Sequence, residues 1–119
     1  MNWIGMVQAG FYIFTGVWPF VSLRTFLAVT GPKTDIWLVK TVAALIVVLG
    51  AALMIGSMGP ETQLVTVSLG LLSPLALAAV DIYYVLRGTI SKIYLADAAV
   101  EVAFLLYWIW FALSALDFR

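Results

Sequence analysis

The chain has 119 residues, of which 65% are hydrophobic and 10% charged, and its mean hydropathy is +1.12. A water-soluble domain is about half apolar and about a quarter charged, so a lipid bilayer is the expected solvent and partner. Six basic residues balance six acidic ones, which leaves no surplus for nucleic acid; the absence of Cys and His removes thiolate chemistry and the commonest zinc, haem and iron–sulfur ligands, so no metal or cofactor is expected.

The first apolar run extends from Trp3 to about Leu23 and ends at Arg24. It is long enough for a spanning helix of roughly 20 residues. Met1-Asn2 brings no basic n-region and no small-x-small cleavage site follows, so the run is expected to be retained rather than removed as a signal peptide. Trp18-Pro19 predicts a kink or a shortened last turn. The segment 24–35 reads as a loop punctuated by Gly31-Pro32, with Thr34 or Asp35 placed to cap the next helix. A second helix is predicted over about 36–56, with Lys40 its only charge. Ser57 to Glu61 reads as a tight turn. A third helix is predicted over about 62–86, bent near Gly70 and Pro74, and residues 87–92 form another loop. A fourth helix is predicted over about 93–116, followed by the tail Asp117-Phe118-Arg119. Residues 1–119 therefore form one all-α domain: an integral membrane four-helix bundle of two helical hairpins, with both termini on the same side.

Orientation follows from basic residues near the helix ends. Arg24, Lys33, Arg87 and Lys92 lie in loops 24–35 and 87–92, with Lys40 close by, whereas the opposite side holds only Arg119. The two loops are expected in the cytoplasm and the termini outside it. Trp3, Trp37, Tyr83, Tyr84, Tyr94, Trp108 and Trp110 read mostly as interfacial anchors.

Four ionisable residues interrupt the apolar runs. At ~1.5 Å per helical residue, Lys40 lies about 7 Å from its cytoplasmic helix end, Asp81 about 9 Å, Asp97 about 6 Å and Glu101 about 12 Å. All four reach one depth on three different helices. Asp97 and Glu101 are one turn apart, share a stripe with Tyr94 and Trp108, and repel each other, so one of the two is expected to carry a proton. Pro74, Leu77, Asp81 and Tyr84 share a face of the third helix. Lys40 lies over Ala44, Val47 and Ala51, a narrow face suited to close packing. A charge at mid-helix costs about 2.5–3.5 kcal/mol on insertion scales, so an ion network facing the bundle interior is expected. Arg24 and Arg87 would join Lys40 against the three acids, supported by Tyr84 and Tyr94. Gln8, Thr15 and Ser22 add a polar stripe on the first helix.

Two readings of the cluster stand side by side. Paired charges can fix helix register and nothing more, or they can hold a ligand, an ion or a proton. Catalysis is poorly supported, since no nucleophile or oxyanion donor accompanies the acids; an isomerase working on an apolar substrate needs only acids and a pocket, and remains open.

The stretch Phe26–Val42 and the residues from Asp81 through Tyr83-Tyr84, Ile90-Ser91 and Tyr94-Leu95 to Asp97 and Glu101 resemble a group of small bacterial four-helix membrane proteins without an assigned activity. The resemblance covers about a third of the chain and implies a bacterial inner membrane, with no role for any residue. Size and helix number are also similar to the small multidrug resistance transporters, but their first-helix Glu has no counterpart before Asp35. The functional expectation is a small non-enzymatic membrane protein that acts as an accessory or assembly subunit or binds a small ligand at the charge cluster. A homo-oligomer or membrane-complex partner is expected; a proton-coupled small-solute transporter is the alternative.

Overall fold

The computed structural model describes residues 1–117, with side chains as far as residue 115. Five helices are formed: α1 (Trp3–Val21), α2 (Leu23–Thr30), α3 (Ile36–Met58), α4 (Leu64–Leu86) and α5 (Tyr94–Asp117). Four of them, α1, α3, α4 and α5, are long and apolar enough to cross a membrane. Arg119, counted above for the opposite side, lies outside the described residues.

The short α2 corrects the expected loop over 24–35. Pro19 has no N–H for the helical ladder, and the chain leaves helical geometry at Ser22 (φ −150°, ψ 85°). Ser22 then starts a new helix, its Oγ accepting from Thr25 N at 3.4 Å. Leu23, Phe26, Leu27 and Thr30 turn partly inward while Arg24, Thr25, Ala28 and Val29 are exposed, so α2 is amphipathic. Gly31 stops it at φ 99°, a left-handed conformation that favours glycine. Only residues 31–35 remain as loop. Asp35 occupies the cap position of α3 without a side-chain capping bond; its carbonyl accepts from Leu38 and Val39 instead, and the Thr34 carbonyl accepts from Ile36 N at 3.2 Å. Ser57 and Met58, expected in the turn, still belong to α3, and α4 begins two residues later than predicted.

The helices pair as two hairpins, α1 with α3 and α4 with α5. The first pair is close because its contact face lacks side chains. A Cβ on Gly16 would stand 2.7 Å from the Ala43 carbonyl oxygen, and one on Gly50 would stand 2.9 Å from that of Ala9. The pair is antiparallel: Gly16 meets Ala43 and Val47, whereas Gly50 meets Ala9 and Ile13. Small residues allow such approach where lipid-like surroundings give helices no hydrophobic reason to associate. The packed face of α3 carries Ala43, Gly50, Leu53 and Ser57. The stripe expected to pack, Lys40, Ala44 and Ala51, is exposed, with only Val47 half-buried. The α3 sequence is apolar on all sides, so its hydrophobic pattern could not single out the buried face.

The second pair closes in the same way, since a Cβ on Gly70 would run into the Trp108 indole. Ala9, Tyr12, Leu53 and Trp108 form the core, drawn from both hairpins. Trp108, expected at an interface, is therefore an interior residue; Trp3, Trp37 and Trp110 are exposed as anchors would be.

Gly16→Val should lower the stability of the α1/α3 pair by about 1–3 kcal/mol, because two of the opposing atoms, Ala43 O and Val47 N, are backbone and cannot yield. Gly10→Val, where nothing lies within 4 Å of an added Cβ, should change little. Unfolding by denaturing detergent in mixed micelles checks both.

Candidate functional site

The site begins with a missing hydrogen bond. In an α-helix the N–H of residue i bonds the carbonyl of i−4. Pro74 has no N–H, so α4 runs through it with the Gly70 carbonyl left without its helical donor. Gly70 has no side chain to shield that oxygen, and Gln8 of α1 reaches it: Nε2 donates to Gly70 O at 3.1 Å. The same Nε2 donates to Tyr12 Oη at 3.1 Å, and Gln8 Oε1 accepts from Trp108 Nε1 at 2.6 Å. Both N–H groups of this amide are used, and its oxygen has a donor. Tyr12, one turn further along α1, donates its hydroxyl to Glu101 Oε1 of α5 at 2.7 Å. Three helices of two hairpins are thus bonded at the level of Gln8 and Tyr12. Gln8, Tyr12, Trp108 and Glu101 are at most 1% exposed, and Asp81 is 6% exposed.

Glu101 leads into the acids. The Asp97 carboxyl lies within hydrogen-bonding reach of Asp81, and Glu101 is close enough to act on Asp81 electrostatically. Tyr12 and Asp97 are the side chains that act on Glu101. A hydrogen bond between two carboxyls exists only when a proton sits between them, because an ionised carboxylate accepts and cannot donate. Asp81 Oδ2 is buried without a protein donor. Asp97, one turn nearer the helix start, is half-buried and connects the group to the end of the bundle. Among the described residues no three His, Cys, Asp or Glu side chains are arranged to hold a metal ion.

Of the residues expected in the site, the structure brings together Asp81, Asp97 and Glu101 and leaves out the cations. Lys40 is exposed on the outer face of α3, and Arg24 is exposed on α2. Arg87 is exposed and donates to Tyr83 Oη at 3.3 Å, lying over that ring. Tyr84 is exposed. Tyr94 is half-buried and faces Lys33, whose Nζ lies 5.2 Å from its ring centre and 5.3 Å from that of Phe26. Lys33 also donates to the Thr30 hydroxyl at 2.9 Å and the Gly31 carbonyl at 3.2 Å. It ties the end of α2 to the start of α5 and leaves the acids alone. The expected ion network is replaced by an acidic group whose hydrogen-bond donor is a tyrosine. The polar stripe of α1 divides likewise: Gln8 enters the site, Thr15 bonds back to the Phe11 carbonyl at 2.9 Å, and Ser22 caps α2.

Tyr12 escaped the sequence reading because a lone tyrosine in an apolar run reads as an anchor. Its spacing from Gln8, one helical turn, was the available signal. The other was Pro74 itself, which guarantees an unpaired carbonyl at Gly70 for some neighbour to meet. No family model matches the chain, and no curated protein and no solved structure matches it either.

Gln8→Leu should destabilise the protein by about 1–3 kcal/mol, by leaving the Gly70 carbonyl and the Trp108 N–H unpaired. In a Pro74→Ala background the loss should shrink, because the restored backbone N–H closes on Gly70 O. A double-mutant cycle in mixed micelles measures the difference.

Proposed function

We propose that the chain is a four-span protein of a bacterial inner membrane whose Asp81–Asp97–Glu101 group binds protons and exchanges them for a small organic cation. Loops 31–35 and 87–92 face the cytoplasm in this reading, by the excess of Lys and Arg that they and α2 carry. The observation that carries it is the burial of Asp81 and Glu101 on two helices with no basic side chain among the described residues acting on either. Uncompensated buried carboxylates are too costly to persist, so their charge is met by protons or by a bound cation. An anionic solute is disfavoured by the same charges. With Lys40, Arg24 and Arg87 outside the group, the described residues supply no counter-charge, which is what a site that takes up and releases a cation needs. A proton shared between Asp81 and Asp97, and another on Glu101, cancel two of the three negative charges when no solute is bound, and the one that remains is shared at the Asp97 end of the bundle.

A second reading has its own support. The outward face of α1 carries an open apolar groove of about 420 Å³ lined by Gly10, Ile13, Phe14, Val17, Trp18 and Val21. With Lys40 also exposed along a span, an accessory subunit packed against another membrane helix is the alternative role. Mild-detergent sizing tests it, and a stable lone monomer counts against it.

Two measurements test the proton-binding reading. Infrared spectroscopy of the reconstituted protein should show a protonated-carboxyl band that Asp81→Asn and Glu101→Gln together remove. In proteoliposomes, uptake of small organic cations driven by a proton gradient should fall to background in the same double variant. Unchanged uptake and an unchanged band would each count against it.

A further inference from the structure

The polar atoms inside the bundle fall into two groups. One runs from Asp97 through Asp81 and Glu101 to the Tyr12 hydroxyl. The other lies at the opposite end, where Tyr107 Oη donates to Asn2 Oδ1 at 3.0 Å and Asn2 N–H donates to the Ser57 carbonyl at 2.7 Å. Asn2 Nδ2 and Ser57 Oγ are buried there without partners. Ser57 Oγ faces Gly5, whose absent Cβ would also stand 3.2 Å from the Trp108 ring. Between the two groups stand Gln8 and Trp108, both fully buried.

We infer, building on the proton-binding reading, that Gln8 is the seal of the carboxyl site: its amide ends the proton path, so the acids exchange protons through Asp97 and not through the Asn2–Ser57 end. The chemistry of the amide supports this. A hydroxyl or a carboxyl can accept a proton on one lone pair and release another, so Tyr12 can pass its proton to Glu101 Oε1 only if its oxygen receives one in return. The donor facing Tyr12 Oη is Gln8 Nε2–H. Giving up that proton would leave an amidate anion beside Trp108, with the O–H bond of tyrosine reformed and no base to stabilise the charge. The indole behind it donates from Nε1 and has no lone pair to accept. Each bond of Gln8 therefore has a fixed direction: inward from Trp108, outward to Gly70 and Tyr12. Two of these bonds, to Gly70 and from Trp108, hold α1 against α4 and α5.

Gln8→Glu combined with Trp108→Phe tests the inference, because a carboxyl has nearly the shape of the amide but can relay a proton, and the smaller ring removes the indole that cannot. Proteoliposomes carrying a pH-sensitive dye, with the potential clamped by a potassium ionophore, should be as tight to protons with the native protein as without protein. The double variant should make them leak severalfold faster, and adding Tyr12→Phe should restore tightness. Trp108→Phe alone should stay tight, because the amide still ends the path. A folded double variant that does not leak, native vesicles that leak equally, or a Trp108→Phe leak as large would each overturn the seal. If the double variant fails to fold, the native protein decides: a water-soluble carbodiimide with an added amine should modify Asp97 from the side of residues 31–35 alone, and equal modification from both sides overturns the inference. The infrared carboxyl band is independent of Gln8, so its presence with a failed seal leaves proton binding standing, and its absence removes the reading on which the seal rests.

Discussion

The Gly70 carbonyl, deprived of its donor by Pro74, is the constraint around which the two hairpins are arranged. In surroundings with little water, an unpaired carbonyl costs several kcal/mol, so some neighbour has to supply a donor. Gln8 does so, and in reaching Gly70 its amide is held where its oxygen takes the Trp108 N–H and its second proton takes Tyr12. Tyr12 in turn is held where its hydroxyl meets Glu101. The bonding order of the site follows from that one orphan acceptor.

The energies explain why packing inside the hairpins and bonding between them are done by different means. Helix–helix hydrogen bonds in apolar media average about 0.6 kcal/mol and reach about 1.7. Four such bonds bring the hairpins together with a few kcal/mol, enough to set register yet small enough to be broken and remade. Within a hairpin, backbone approach at Gly16 and Gly50, and the Trp108 indole seated on Gly70, give contact that does not depend on any single polar group.

The acids and the bases have been separated, and the reason is geometric. Lys and Arg have long stems that carry the charge to water from an exposed helix face, so Lys40 and Arg87 gain more outside than in a crowded interior. Asp has no such reach. Asp81, on the inner face of α4, has to be satisfied where it stands, and Asp97 and Glu101 are what it meets. Three carboxyls without a cation are stable as a group only with protons or a guest cation among them, which is why the proposed chemistry is proton exchange and not the structural ion pairing that the residue list suggests.

Composition and run length were sufficient to identify an all-helical chain with four long apolar segments, because those features depend on local hydrophobicity and on what Gly and Pro forbid. Charge depth brought Asp81, Asp97 and Glu101 to one level for the same local reason: helical rise is fixed at 1.5 Å per residue. Rotation about each helix axis is not local. The α3 sequence is apolar on every side, so whether Lys40 faced inward was decided by where Gly50 lets α1 approach, a fact that belongs to the pair and not to either helix. The amphipathic α2 likewise needed Ser22 to leave helical geometry after Pro19 before it could form. Tyr12 and Gln8 became one site with Glu101 and Gly70 only when α1, α4 and α5 met, since hydrogen bonds between residues 62 and 89 positions apart have no trace in any window of the chain.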